Sequence, residues 1–172
     1  DHIEHCIRQL ELTQRRLGAS AGLEDGGVEG VEFGIWYHDI VYVPEADDNE
    51  ARSAELFSQL AVGSLSPDMI DRVHRIIMAT LHLAKPERAD EQLMVDIDLS
   101  SFGMEWDHFR RDSIAVRTEM GHQSEAEFSL AQGQFLNNLL ARDSVYCTEL
   151  FQDLYEARAR ENIGRYINDF LT

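Results

Sequence analysis

His38 and Asp39 stand side by side at the end of the apolar stretch Val31-Glu32-Phe33-Gly34-Ile35-Trp36-Tyr37. A neutral imidazole and a carboxylate on consecutive residues can both turn toward one divalent cation if the helix that carries them ends there. The plainer reading is a helix-end histidine beside a solvated aspartate, so the case depends on further ligands elsewhere in the chain. His2 opens a helical pattern with Ile3, Cys6, Ile7, Leu10 and Leu17 on one stripe. Asp96 and Asp98 interrupt the apolar segment Leu93-Met94-Val95-Asp96-Ile97-Asp98-Leu99. A carboxylate inside such a run is costly to bury without a cation or hydrogen-bond donors. A cation held by histidines and aspartates, with positions left for water and a substrate oxygen, is the equipment of metal-assisted hydrolysis.

Those residues need a helical frame, and helical spacing dominates the chain with no sustained alternation of period two. The first helix is predicted from His2 to Leu17, stopped by Gly18, and followed by a small-residue loop to Gly27. The second is predicted over about residues 28–38, with Val31, Ile35 and Trp36 inward. After a connection containing Pro44, Asp47-Asp48-Asn49 suit the cap of a third helix over about Asn49 to Val62, and Ser66-Pro67 starts a fourth that runs to about Leu83. Four more follow over about 90–102, 106–120, 124–140 and 148–170. Trp36, Tyr37, Tyr42, Phe57, Phe102 and Phe135 fall among aliphatic neighbours and read as core. The expectation is an all-α bundle of about seven or eight helices, one domain over residues 1–172.

Composition narrows the partners. With 15 basic against 32 acidic residues the net charge is −17, which repels a nucleic-acid duplex. A small phosphorylated substrate is compatible with that charge if a cation and one or two side chains make a local positive site. No apolar run approaches a membrane span, so no membrane partner is expected, and the chain opens in a helical pattern without the layout of a signal peptide. Cys6 and Cys147 are far apart and belong to no Cys-x-x-Cys unit, which suggests a reducing cytoplasm. Oligomeric state is left open.

The order His, then His-Asp, then Asp, each on a separate helix, resembles the HD superfamily of metal-dependent phosphohydrolases. Ile35-Trp36-Tyr37-His38-Asp39-Ile40-Val41-Tyr42 followed by Asn49-Glu50-Ala51-Arg52-Ser53-Ala54 is similar to a bacterial subgroup described as predicted metal-dependent HD phosphohydrolases. The same subgroup shows a Thr-x-His element, an Asp-x-Asp-Leu-Ser element and an Arg-x-Glu element. These stand here as Thr80-Leu81-His82, Asp96-Ile97-Asp98-Leu99-Ser100 and Arg117-Thr118-Glu119. The likeness runs from His2 to roughly Arg165.

The resemblance implies an HD-like fold in which His2, His38, Asp39 and Asp98 hold one divalent ion. Asp98 is preferred to Asp96 because it aligns with the last aspartate of the motif. Mixed nitrogen and oxygen ligands suit Mn²⁺, Fe²⁺, Co²⁺, Ni²⁺ or Zn²⁺, with Mg²⁺ also open. Asp39 and Glu50 are the implied catalytic residues; Glu50 either acts as general base or simply favours the dipole of its helix. His82 either contacts substrate phosphate or hydrogen-bonds a ligand. Arg117 is the choice for phosphate because a guanidinium offers two parallel donors, with Lys85, Arg52 and Arg110 weaker choices. His74 reads as a solvated helix histidine. One departure stands out: where the subgroup often has an arginine in its penultimate helix, this chain has Ala131-Gln132-Gly133-Gln134. The expected function is hydrolysis of a small phosphorylated metabolite, such as a nucleotide, by a metal-activated water. The competing expectation is a metal- or nucleotide-binding helical module with a sensing or assembly role.

Overall fold

Stop signals and apolar stripes place the helices in a computed structural model that describes residues 2–44 and 46–171. Helix α1 (His2–Leu17) buries Cys6, Gln9, Leu10 and Thr13 along one stripe. It ends where Gly18 turns to φ 93°, its N–H bonded back to Gln14 at 2.9 Å. Then come α2 (Gly27–Tyr37), α3 (Asn49–Ala61), α4 (Pro67–Ala79) and α5 (Ala89–Asp98). A 3-10 segment, Leu99–Gly103, leads to α6 (Trp106–Glu119), α7 (Glu125–Leu140) and α8 (Glu149–Phe170). The fold is all-α, and no strand occurs among the described residues. No helix among them is long and apolar enough to cross a membrane. One domain was expected from length; the contacts of the chain group into two compact units, one ending at Asp98 and one starting at Leu99.

In the first unit α2 is the central element, packed against α1, α3, α4 and α5. Its buried face is Gly27, Gly30, Val31, Gly34 and Ile35, the i, i+3, i+4 pattern of a helix stripe. The glycines set how close the neighbours come. A Cβ on Gly34 would lie 2.5 Å from Cγ2 of Ile76 and 3.4 Å from the Met94 sulfur. Beside this face Phe33 and Tyr37 pack on Phe57, with ring centroids 5.5 and 5.1 Å apart. Trp36 lies off both faces and is 55 % exposed, so its expected place in the core is corrected. Tyr42, also expected inside, is exposed on the connection after α2.

Local hydrogen bonds set two boundaries. Asp48 occupies the cap position of α3, one of the three residues expected there, which frees Asn49 to clamp Val43: its amide oxygen accepts from Val43 N–H at 2.9 Å and its NH₂ donates to Val43 O at 3.0 Å. One turn on, Ser53 Oγ accepts from Val41 N–H at 3.1 Å and donates to Val41 O at 3.4 Å. Asn49 and Ser53 therefore lash the chain that follows His38-Asp39 to one face of α3. Helix α4 stops at Ala79, short of Leu83. The Thr80 hydroxyl donates to Ile77 O at 2.7 Å, and Thr80, Leu81 and His82 close tighter bonds to Ile77, Met78 and Ala79.

In the second unit α8 packs on the 3-10 segment, α6 and α7. Asn162 donates to the carbonyls of Phe102 and Met104, both at 2.8 Å, and the buried Tyr146 hydroxyl donates to Leu99 O at 3.2 Å. Ser124 and Glu127 form a reciprocal cap that starts α7.

The Gly34 contact yields a test of the helix-packing account. Gly34→Ala gains helix propensity of about 1 kcal/mol, yet it should destabilise by about 1–3 kcal/mol because α4 must move. Gly133→Ala, where no atom lies within 4 Å of the new Cβ, should be neutral or stabilising. Chemical denaturation of both variants reads the difference, and a stabilised Gly34→Ala would contradict the packing.

Candidate metal centre

Four helix ends or turns of the first unit bring five polar side chains together. His2 comes from the first turn of α1, His38 and Asp39 from the residues just past α2, Asp98 from the last residue of α5, and His82 from the unwound turn after α4. His2 Nε2 lies 3.2 Å from His38 Nε2 and 3.0 Å from Asp98 Oδ1. His38 Nε2 lies 3.2 Å from Asp39 Oδ2 and 3.5 Å from Asp98 Oδ1. A cation bound at about 2.0–2.2 Å sets neighbouring donors about 3.0–3.5 Å apart. All four separations fall in that range, and the donor set is the mixed imidazole and carboxylate kind that suits a transition-metal dication.

The ring of His38 is held in the orientation such a role needs. Its Nδ1–H donates to the carbonyl of Ile35, one turn earlier in α2, at 3.0 Å. In the neutral ring this leaves the lone pair on Nε2, the atom that faces His2, Asp39 and Asp98. Asp98 is held from behind. His82 Nε2 donates to its second oxygen, Oδ2, at 2.8 Å, leaving Oδ1 toward the other histidines. His82 reaches it because its backbone turns to φ 54°, a left-handed conformation outside the helix. The structure thus gives His82 the carboxylate-orienting role of the two that were expected.

Burial grades the site into a floor and a rim. The His38 side chain is 2 % exposed and Asp98 14 %, whereas His2 is 40 % and Asp39 53 % exposed. Burial opposes charge on His2, His38 and Asp98, yet their mutual contacts overcome it. For His2, burial works to lower the pKa, but hydrogen bonds to Asp98 and Cys6 and the Asp98 charge raise it from 6.5 to about 10. For His38 burial acts the same way and is outweighed by hydrogen bonds to Asp39 and Asp98, which raise it to about 11. Burial works to raise the Asp98 carboxyl, but hydrogen bonds from His2, His38 and His82 hold it well below the usual carboxylate range. The raised values of His2 and His38 favour their protonated rings near neutral pH. One dication can replace the two imidazole protons with no change of net charge.

Other expected residues stand elsewhere. Glu50 is half-buried in the first turn of α3, and no hydrogen bond or ion pair joins it to the cluster among the described residues. Asp96 is fully buried in α5. Arg117, expected at substrate phosphate, lies in the second unit and commits its guanidinium to the turn after α6. It donates to Met120 O at 3.1 Å, Gln123 O at 3.3 Å and Glu125 at 3.2 Å, and stacks over Phe128. Arg110 sits over the Phe170 ring, and Arg52 lies 3.9 Å from Asp48. His74, expected in solvent, meets Ser58 Oγ at 3.2 Å. One neighbour of the cluster was not anticipated. The fully buried Cys6 brings its sulfur to 3.5 Å from His2 Nε2, and burial pushes its thiol pKa up. The signal for it was present as the i, i+4 relation of His2 and Cys6 on α1.

The protonation states give a pH dependence with a definite sign. His2 and His38 have folded values raised above 6.5, so their contribution to the metal-free fold is complete below about 6.5 and lost as pH rises toward about 10 and 11. Asp98, whose value is lowered, contributes above 3.8 and loses its contribution as pH falls through its folded value. A dication bound by these rings would displace their protons, so any thermal stabilisation from added metal should grow from about pH 6 to about pH 9. Melting curves with Mn²⁺ and with a chelator across that range check this; an increment that is flat or shrinks with pH would contradict it. In comparisons of the chain with known proteins, no family model, curated protein or solved structure matches it.

Proposed function

We propose that the protein is a metal-dependent phosphohydrolase of the HD type, acting in the cytoplasm on a small phosphorylated metabolite such as a nucleotide. The observation that carries this reading is the meeting of His2, His38, Asp39 and Asp98, drawn from three separate parts of the chain, in which His38 lies 3.2 Å from His2, 3.2 Å from Asp39 and 3.5 Å from Asp98, and His2 lies 3.0 Å from Asp98. When bound there, a divalent ion supplies Lewis-acid polarisation of a phosphoryl oxygen and lowers the pKa of a water. The chain supplies the rest. The Ile35 carbonyl fixes the His38 ring, and His82 fixes Asp98, so the donors are oriented before any ligand arrives. Asp39, at the exposed rim, orients the attacking water.

Substrate contacts follow from what flanks the donors. Lys85 is exposed on the loop that follows His82 and is the cation assigned to substrate phosphate, since Arg117 has its donors engaged. Ile40, Tyr42 and Val43 are exposed after Asp39, and Leu83 after His82. Apolar and aromatic side chains beside the donors favour a metabolite with a flat or apolar body over a bare phosphate. The net charge of −17 argues against a nucleic-acid duplex as substrate.

Elemental analysis of the purified protein, followed by a screen of phosphomonoesters and nucleotides with added Mn²⁺, tests the proposal. Asp39→Ala should lose more than about 100-fold in metal-dependent turnover, and His82→Ala should weaken metal affinity about 10–100-fold. Bound metal with no metal-dependent turnover of any phosphate ester would replace the enzyme by a metal-retaining module.

A further inference from the structure

We propose that Cys6 is itself a metal ligand, so that the centre takes a thiophilic dication such as Zn²⁺, Co²⁺ or Fe²⁺ in preference to Mg²⁺. The inference rests on the reading of His2, His38, Asp39 and Asp98 as a cation site and specifies which class of ion that site holds. His2 and Cys6 are one turn apart on the same face of α1. The Cys6 sulfur is fully buried and lies 3.5 Å from His2 Nε2, the very atom that faces His38 at 3.2 Å and Asp98 at 3.0 Å. One donor atom from each of His2, Cys6 and Asp98 falls within 4.8 Å of the others, and the same holds for His2, His38 and Asp39, so the two triads share His2.

Nitrogen and sulfur bound side by side on one ion, with bonds of about 2.1 and 2.3 Å, stand about 3.1–3.6 Å apart for bond angles between about 90° and tetrahedral, a range that contains the observed 3.5 Å. An ordinary buried cysteine packs as a small hydrophobe; this one points its sulfur at imidazole and carboxylate. Ligation breaks the S–H bond, releases the proton to solvent and uses the sulfur electron pair for the bond to the ion, with no change of oxidation state. Thiolate beside imidazole favours soft and borderline ions, whereas Mg²⁺ prefers oxygen alone.

Cobalt loading of the full chain reads this directly. The expected spectrum combines visible d–d bands with a near-ultraviolet sulfur-to-cobalt charge-transfer band. That band should vanish in Cys6→Ser, with the visible bands kept, and persist in Cys147→Ser. Because the chain has two cysteines, persistence in Cys147→Ser assigns the band even if Cys6→Ser fails to fold. Visible bands without charge transfer in the wild type, or charge transfer that survives Cys6→Ser, would overturn sulfur ligation while leaving the cation site standing. Absence of both kinds of band would overturn the cation site as well.

Discussion

A single carboxylate at the end of a helix is the constraint around which the first unit is arranged. Asp98 is the last residue of α5, where the helix dipole disfavours negative charge, and it is largely buried, which disfavours that charge further. It stays ionised because three imidazoles converge on it, from α1, from the end of α2 and from the turn after α4. Each of those elements must end or unwind at the right residue. Neutralising Asp98 alone would remove the reason for all three approaches, since a histidine turned toward an apolar stub has no partner for its N–H.

The neighbouring packing serves that convergence. The glycine face of α2 lets α4 and α5 come close, which brings the start of the His82 turn and the end of α5 toward the end of α2. Asn49 and Ser53 tie the strand of chain beyond Asp39 to α3, so the segment leaving the site is anchored at Val41 and Val43 by its own backbone groups. The core beneath, built on Ala54, Phe57, Val73 and Ile77, is continuous with partly buried Phe33 and Tyr37 of α2. Rigid elements therefore carry the buried floor, while the exposed donors His2 and Asp39 form the open side.

Much of this was legible in the residues. Gly18, Ser66-Pro67 and Ser124 with Glu127 mark helix ends by backbone chemistry that acts locally, and the helices begin or stop there. The grouping of His2, His38, Asp39 and Asp98 could be anticipated from the likeness of their order to the HD motif, which also singled out Asp98 over Asp96. What escaped had non-local causes. Trp36 follows the buried stripe closely enough to look internal, but Gly30 and Gly34, with no side chains to signal it, turn that stripe toward α4 and α5. Thr80 ends α4 by capturing a carbonyl of its own helix, an event that helix periodicity does not register. Arg117 looked like an anion ligand because sequence cannot tell a guanidinium that staples a turn from one that awaits a substrate.

The left-handed turn at His82 carries a consequence for how this protein can change. A non-glycine residue in that region costs about 1–2 kcal/mol, a strain borne at a residue that grips Asp98. Glycine there would relax the backbone and in the same stroke release the carboxylate from its grip. Relief of strain and a well-aimed Asp98 therefore pull this one position in opposite directions.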